Sequence, residues 1–212
     1  MTDSGVVAVK ICGLTNLEDT RHAWRSGADL LGFVLVPGTP RYVTPEIATA
    51  LVRALRNEGC GALMVGLFAH EPPSVVRAIV AECGFDLVQL HGDPSPAEVV
   101  DLGVPALIAN RVRDAVDWAS LAAYQAWAYV LDGHDPARMG GTGKTWDWNL
   151  AADRPEGFGR TLIAGGLTPD NVAEAIRLAR PWGVDVSSGV ESAPGRKDPE
   201  RVARFIERAK GA

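Results

Sequence analysis

A rhythm constrains this chain most. Eight short runs of aliphatic and β-branched residues alternate with stretches of helical periodicity along 212 residues. The runs span 7–12, 29–36, 62–68, 86–90, 106–109, 126–131, 161–164 and 183–186. They are nearly continuous in apolar character, as strands buried on both faces of a parallel sheet are. Between them, the Thr15/Asn16, Thr44-Pro45 and Ser95-Pro96 pairs are helix-start signals, because a side-chain oxygen or a proline suits the first turn. The helices expected from these starts run from 16 to about 26, 45–57, 73–83 and from 96 onward. A weak helix is expected over 116–124, a short helical piece over 146–150, and longer helices over 169–180 (capped by Thr168) and 199–210. Eight βα units of about 26 residues match a single-domain (β/α)₈ TIM barrel with a parallel eight-stranded core, spanning 1–212. A doubly wound open sheet is the structural alternative, but no dinucleotide fingerprint follows any strand.

Bulk properties narrow the function. The net charge is −5, which gives no global electrostatic case for nucleic acid or an anionic membrane, so an anionic ligand requires local positive charge. Cys12, Cys60 and Cys83 are an odd number without metal-type spacing, which fits a reducing compartment. The first residues lack a basic segment followed by a long apolar run, and no apolar stretch is long enough to span a bilayer. The expectation is a cytoplasmic enzyme or binding protein for a small phosphorylated molecule.

Parallel barrels gather function at the carboxyl ends of their strands. In order those ends carry Cys12, the loop holding Arg41, Phe68, His91, Arg111, Asp132, Gly165-Gly166 and Ser187-Ser188-Gly189. The last two sets of small residues follow strands seven and eight, where backbone amides commonly cradle phosphate. The competing reading is that the glycines only make tight turns. No His, Cys and carboxylate cluster has metal-ligand spacing. Metal-free acid–base chemistry on a phosphorylated substrate is therefore expected.

Each candidate has a bland alternative. Cys12 is either a small buried hydrophobe or, at a strand end before Gly13, a base whose thiolate nearby Lys10 assists. Asp132 either caps the turn at Gly133 or acts as a general acid at the end of an apolar strand. Arg41, between prolines, is a solvated arginine or a fork for a carboxylate or phosphate. His91 reads equally as a wall residue and as a structural histidine. Asp185 lies inside a strand, where an unpaired carboxylate is costly. It therefore meets a substrate amine or hydroxyl, or a neighbouring basic group. The loop 139–145, MGGTGKT, fails the P-loop pattern because Arg138 stands where glycine is required. A glycine-rich loop beside the site, closing over phosphate, fits better.

Several segments together resemble the phosphoribosylanthranilate isomerases of tryptophan biosynthesis. They are VKICGLT (9–15), PRYV (40–43), VGLF (65–68), VQLHG (88–92), LD (131–132), GGTGKT (140–145), AGGLTPDNV (164–172) and GVDVSSGVES (183–192). The resemblance implies the (β/α)₈ barrel and an Amadori rearrangement without metal or organic cofactor. It implies Cys12 as general base and Asp132 as general acid. Arg41 would grip the anthranilate carboxylate, with Asp185 at the substrate's polar middle and His91 as a further contact. Phosphate would be held by Gly141, Gly143, Gly165, Gly166, Ser187, Ser188 and Gly189. The sequence suggests a monomer, since it has no evident docking element. Two other readings stand beside this one. A related isomerase of the histidine pathway would use a two-phosphate substrate, but the region around His91-Gly92 lacks a second phosphate cup. A non-catalytic phosphosugar-binding barrel would lack the acid or the base.

Overall fold

In the computed structural model, residues 6–133 and 146–212 are described. Eight parallel strands close a barrel in sequence order: β1 (Ala8–Ile11), β2 (Leu30–Val34), β3 (Leu63–Phe68), β4 (Leu87–Leu90), β5 (Ala106–Arg111), β6 (Ala128–Asp132), β7 (Arg160–Ala164) and β8 (Gly183–Val186). β8 returns to β1, with Lys10 beside Asp185 in the register. The outer layer holds α1 (Leu17–Arg25), α2 (Pro45–Asn57), α3 (Pro73–Cys83), α4 (Pro96–Asp101), α5 (Trp118–Ala122), α6 (Val172–Ala179) and α7 (Pro199–Lys210). A 3₁₀ turn, Trp148–Ala151, stands before β7.

Period-two alternation sorts the strand residues into two cores. Leu30, Val65, Leu87, Leu107, Val130 and Leu162 fill the barrel interior. Their neighbours Leu31, Met64, Val88, Leu131 and Ile163 point outward, into the layer beneath the helices. The same alternation lifts Lys10, Gln89 and Asp185 into the interior, all buried. The residues two further along, Cys12, His91 and Ser187, then face the carboxyl-end opening.

The helix starts at residues 16, 44 and 95 match the sequence. Asn16 accepts from the Asp19 amide, Thr44 from that of Ile47, and Ser95 forms a reciprocal capping box with Glu98. The seventh unit departs from expectation. α6 begins at Val172, with Asn171 at its cap, rather than at Pro169. Residues 168–171 form a turn instead, in which the Thr168 hydroxyl accepts from the Asp170 amide and the Thr168 carbonyl from that of Asn171. β5 runs two residues past the expected end, pairing Arg111 with Asp132. β6 starts two residues late, because Trp127 is held below it against Trp182 and under the Arg160 guanidinium. A small antiparallel hairpin after β8, β9 (Glu191–Ala193) with β10 (Arg196–Lys197), was not foreseen.

Candidate active site

A cavity of about 280 Å³ opens at the carboxyl end of the barrel. It brings together Cys12, Arg41, His91, Asp132 and Asp185, with Gly165, Gly166, Ser187, Ser188 and Gly189 along one side. Gly141 and Gly143 lie outside the described residues, as does the rest of the glycine-rich loop. Phe68 is turned away under the helices, and Leu67 lines the cavity in its place. Arg111 instead lines an adjoining cavity of about 550 Å³, which shares His91 and Asp132 with the first and also carries His70 and Arg113.

The β7 and β8 ends make one continuous wall. Gly165 and Gly166 both have positive φ, +82° and +72°, a turn that residues with side chains rarely adopt. Asn171 braces this turn from below. Its Oδ1 accepts from the Thr168 amide at 2.8 Å and its Nδ2 donates to the Gly166 carbonyl at 3.0 Å. Gly189 is there for close approach, since a Cβ on it would collide with the Leu167 carbonyl oxygen. Beside them the Ser187 hydroxyl is buried with no hydrogen-bond partner among the described residues. Such a group costs about 1–3 kcal/mol unless something completes it. An oxyanion seated between the two loops would do so.

Cations and carboxylates interlock beneath Cys12. Lys10 is fully buried and donates to both Asp185 oxygens at 3.0 Å. Of the two partners foreseen for Asp185, the basic one is present. Arg41 is also engaged, since its Nε and Nη2 donate to Glu191 at 2.8 and 2.6 Å. Bidentate pairing leaves the Nη1 edge of the guanidinium for a ligand. Lys197 completes the group by donating to Glu191 at 2.9 Å and to the Ser187 carbonyl at 3.1 Å. Burial pulls the Lys197 ammonium below the usual lysine range, although Glu191 opposes the shift. Burial weighs most against the Lys10 ammonium too, but Asp185 and Cys12 outweigh it, so this lysine is held above the usual range.

Sequence reasoning missed Glu191, Lys197 and Gln89. The first two sit on the unforeseen hairpin, which no strand-length signal announces. Gln89 was discoverable, because it lies two residues before His91 on the same face of β4. Its Nε2 lies 3.0 Å from His91 Nε2, and its Oε1 is buried without a partner among the described residues. Burial pushes the His91 imidazole below the ordinary histidine range, with Asp132 opposing. Among the described residues no group of His, Cys, Asp and Glu could hold a metal ion. No helix there is long and apolar enough to cross a membrane.

Fold and site define a (β/α)₈-barrel protein with a carboxylate, a thiol and a wall of small residues around one carboxyl-end cavity. The comparisons make this specific. The sequence pattern of the family described as N-(5'phosphoribosyl)anthranilate (PRA) isomerase matches residues 9–208, and the chain belongs to that family. An N-(5'-phosphoribosyl)anthranilate isomerase of Geobacter sulfurreducens is 47% identical over 206 residues, covering 97% of this chain and all of the relative. The phosphoribosyl anthranilate isomerase structure from Thermotoga maritima superposes with a TM-score of 0.89 at 38% identity, covering 97% of this chain and all of that one. A further isomerase structure, in complex with reduced 1-(o-carboxyphenylamino)-1-deoxyribulose 5-phosphate, gives a TM-score of 0.84 at 36% identity, covering 97% of this chain and all of that one.

Proposed function

We propose that this chain converts N-(5-phospho-β-D-ribosyl)anthranilate into 1-(2-carboxyphenylamino)-1-deoxyribulose 5-phosphate by general acid–base catalysis, with Cys12 as base and Asp132 as acid. The observation that carries the reading is that both groups face one cavity walled by the β7 and β8 loops. The phosphate lies against Gly165, Gly166, Ser187, Ser188 and Gly189, where the Ser187 hydroxyl finds its missing partner.

Asp132 gives its proton to the ribose ring oxygen. The C1–O bond breaks, and the nitrogen lone pair forms the C1=N iminium. Cys12, as thiolate, then takes the proton from C2, and the C2–H electron pair moves toward the iminium nitrogen, giving an enolamine. Tautomerisation places the carbonyl at C2 and a proton on C1. The iminium of the substrate itself accepts the electrons, so the acid and the base suffice. Because one group starts protonated and the other deprotonated, the pH–rate profile is bell-shaped.

Arg41 offers its Nη1 edge to the anthranilate carboxylate while Glu191 holds the rest of the fork. Asp185 faces the polar middle of the substrate, and His91 contacts it as a neutral imidazole. The chain acts as a monomer in the cytoplasm. Among the described residues the exposed large aliphatics are Val6, Ile47, Val75 and Val100, few for a chain of this length, and the three cysteines are free and buried.

The test is turnover of substrate generated in situ, followed by loss of anthranilate fluorescence, for wild type, Cys12→Ala and Asp132→Asn. Each variant is expected to lose about a hundredfold or more in kcat, as removed acid–base groups do. Wild type that binds the substrate without turning it over would sink the assignment.

A further inference from the structure

The β9–β10 hairpin buries more polar contact than closing a loop requires. Glu191 and Lys197, its first and last residues, are both buried. Glu191 accepts from Arg41 Nε at 2.8 Å, from Arg41 Nη2 at 2.6 Å and from Lys197 Nζ at 2.9 Å. Lys197 Nζ also donates to the Ser187 carbonyl at 3.1 Å. The hairpin is itself tied down from outside the cavity. The Lys197 amide donates to Asp19 Oδ2 at 2.8 Å, the Thr15 hydroxyl to the Gly195 carbonyl at 2.6 Å, and Arg201 Nη1 to the Glu191 carbonyl at 2.7 Å. Glu191 and Lys197 are therefore anchored to α1 and α7.

The stem of Arg41 is fixed as closely as its head. A Cβ on Gly13 would stand 2.5 Å from Arg41 Cδ and 2.9 Å from Ser187 Oγ. The stem thus occupies the space that Gly13 leaves, alongside the Ser187 hydroxyl. Contacts run in a closed ring through Gly13, Arg41, Glu191, Lys197 and Ser187. The ring joins the residue proposed to grip the substrate carboxylate to the wall proposed to hold its phosphate. Burying a carboxylate and an ammonium is costly, and a hairpin that only closed a loop could carry aliphatic side chains there. What the two charges supply is a fixed direction for one guanidinium, so little rotamer freedom is left to lose when a ligand binds.

We propose that Glu191 and Lys197 are positioning residues that set the specificity of the site for a ring carrying its carboxylate ortho to the nitrogen. Acting through Arg41, they hold its Nη1 edge at a set place relative to the Ser187 wall. A substrate without that carboxylate misses the fork. The proposal rests on the reading of Arg41 as the anthranilate grip and adds what fixes it in place.

The experiment compares kcat/KM for two substrates made in situ from ribose 5-phosphate, one with anthranilate and one with aniline, which lacks the carboxylate. Product is quantified by chromatography for wild type, Arg41→Met, Lys197→Met and Glu191→Gln/Lys197→Met. The double variant removes carboxylate and ammonium together, so Lys197 is not stranded as an unpaired buried cation. Dividing the preference of each variant by that of wild type cancels the intrinsic reactivity of the two amines. Wild type should prefer the anthranilate substrate, and Arg41→Met should lose most of that preference. The double variant is expected to lower it by about tenfold, the scale of one hydrogen bond to a charged group, through a higher KM for the anthranilate substrate. Lys197→Met alone, which leaves the Arg41–Glu191 bonds, should lower it by less. A merely structural role would weaken both substrates alike and leave the preference at the wild-type value. Preference lost in Arg41→Met but kept in the double variant overturns the proposal and leaves the reading of Arg41 standing. Preference kept in Arg41→Met overturns both. Circular dichroism checks folding, and if the double variant does not fold, an unchanged preference in Lys197→Met overturns the proposal. Failure of the isomerase assignment would show separately, as no turnover of the anthranilate substrate by wild type.

Discussion

Burial depresses the affinity of His91 for a proton, and this ties one residue to the stability of the molecule. The unfolded chain takes up that proton near pH 6.5, the ordinary histidine value, while the folded chain takes it up only at lower pH. Below about pH 6.5 the unfolded state therefore binds more protons at this site, and stability falls as pH falls. The loss starts at the unfolded value and continues down to the folded one. His91→Gln removes this dependence, so its unfolding free energy should decline less than that of wild type between pH 7.5 and 5.5. Denaturant titrations at the two values measure it. Equal declines would mean that the folded protein protonates His91 as readily as the unfolded chain does. The same residue illustrates what the sequence could say. Its place at the end of β4 was readable from the apolar run before it. Its neutrality was not, because it comes from being closed in by strands distant in sequence.

At the scale of elements, the loop between β7 and α6 has the clearest design. Pro169 suggested a helix starting there, since proline suits a first helical turn. The chain instead spends one more turn, and Asn171 uses both ends of its amide to tie Gly166 to Thr168. Asn171→Ala cuts both bonds beside the wall proposed to hold phosphate. Two bonds at about 0.5–1.5 kcal/mol each set a weakening of about fivefold to a hundredfold in binding of the phosphorylated substrate. KM should rise by about that factor with kcat nearly unchanged, read in steady-state assays. A fall in kcat at unchanged KM would place the loop in the chemistry instead. Element identities along this chain were legible because strands buried on both faces and capped helices carry strong local signals. The β9–β10 hairpin was not, since three- and two-residue strands have no periodicity to detect. With it went Glu191, and so the reason why Arg41 is only partly available to a ligand. The small-residue ends of β7 and β8 were legible as glycines and serines. That Gly189 serves close approach to Leu167 could be seen only once the two loops were side by side.

For the whole molecule, the barrel interior divides into an apolar lower part and a polar upper part. Leu30, Val65, Leu107 and Leu162 fill the former, while Lys10, Gln89 and Asp185 occupy positions nearer the cavity that aliphatic side chains could fill. Taking Lys10 and Asp185 out of water costs several kcal/mol per ion before their attraction returns any of it. An ion pair in this position is therefore expected to serve chemistry at some expense of stability. Two variants separate these contributions. Lys10→Met strands Asp185 as a buried charge and should lose about 3–5 kcal/mol. For a domain of this size that lowers Tm by about 10 °C. Lys10→Met/Asp185→Leu replaces both charges with apolar groups of similar volume, and should restore Tm to the wild-type value or exceed it by a few degrees. Isomerase activity should be lost in both. Scanning calorimetry beside the fluorescence assay reads the two effects on the same samples. If the double variant were as unstable as the single one, the pair would be a net support of the fold. The polar layer would then owe its place to structure as much as to the reaction.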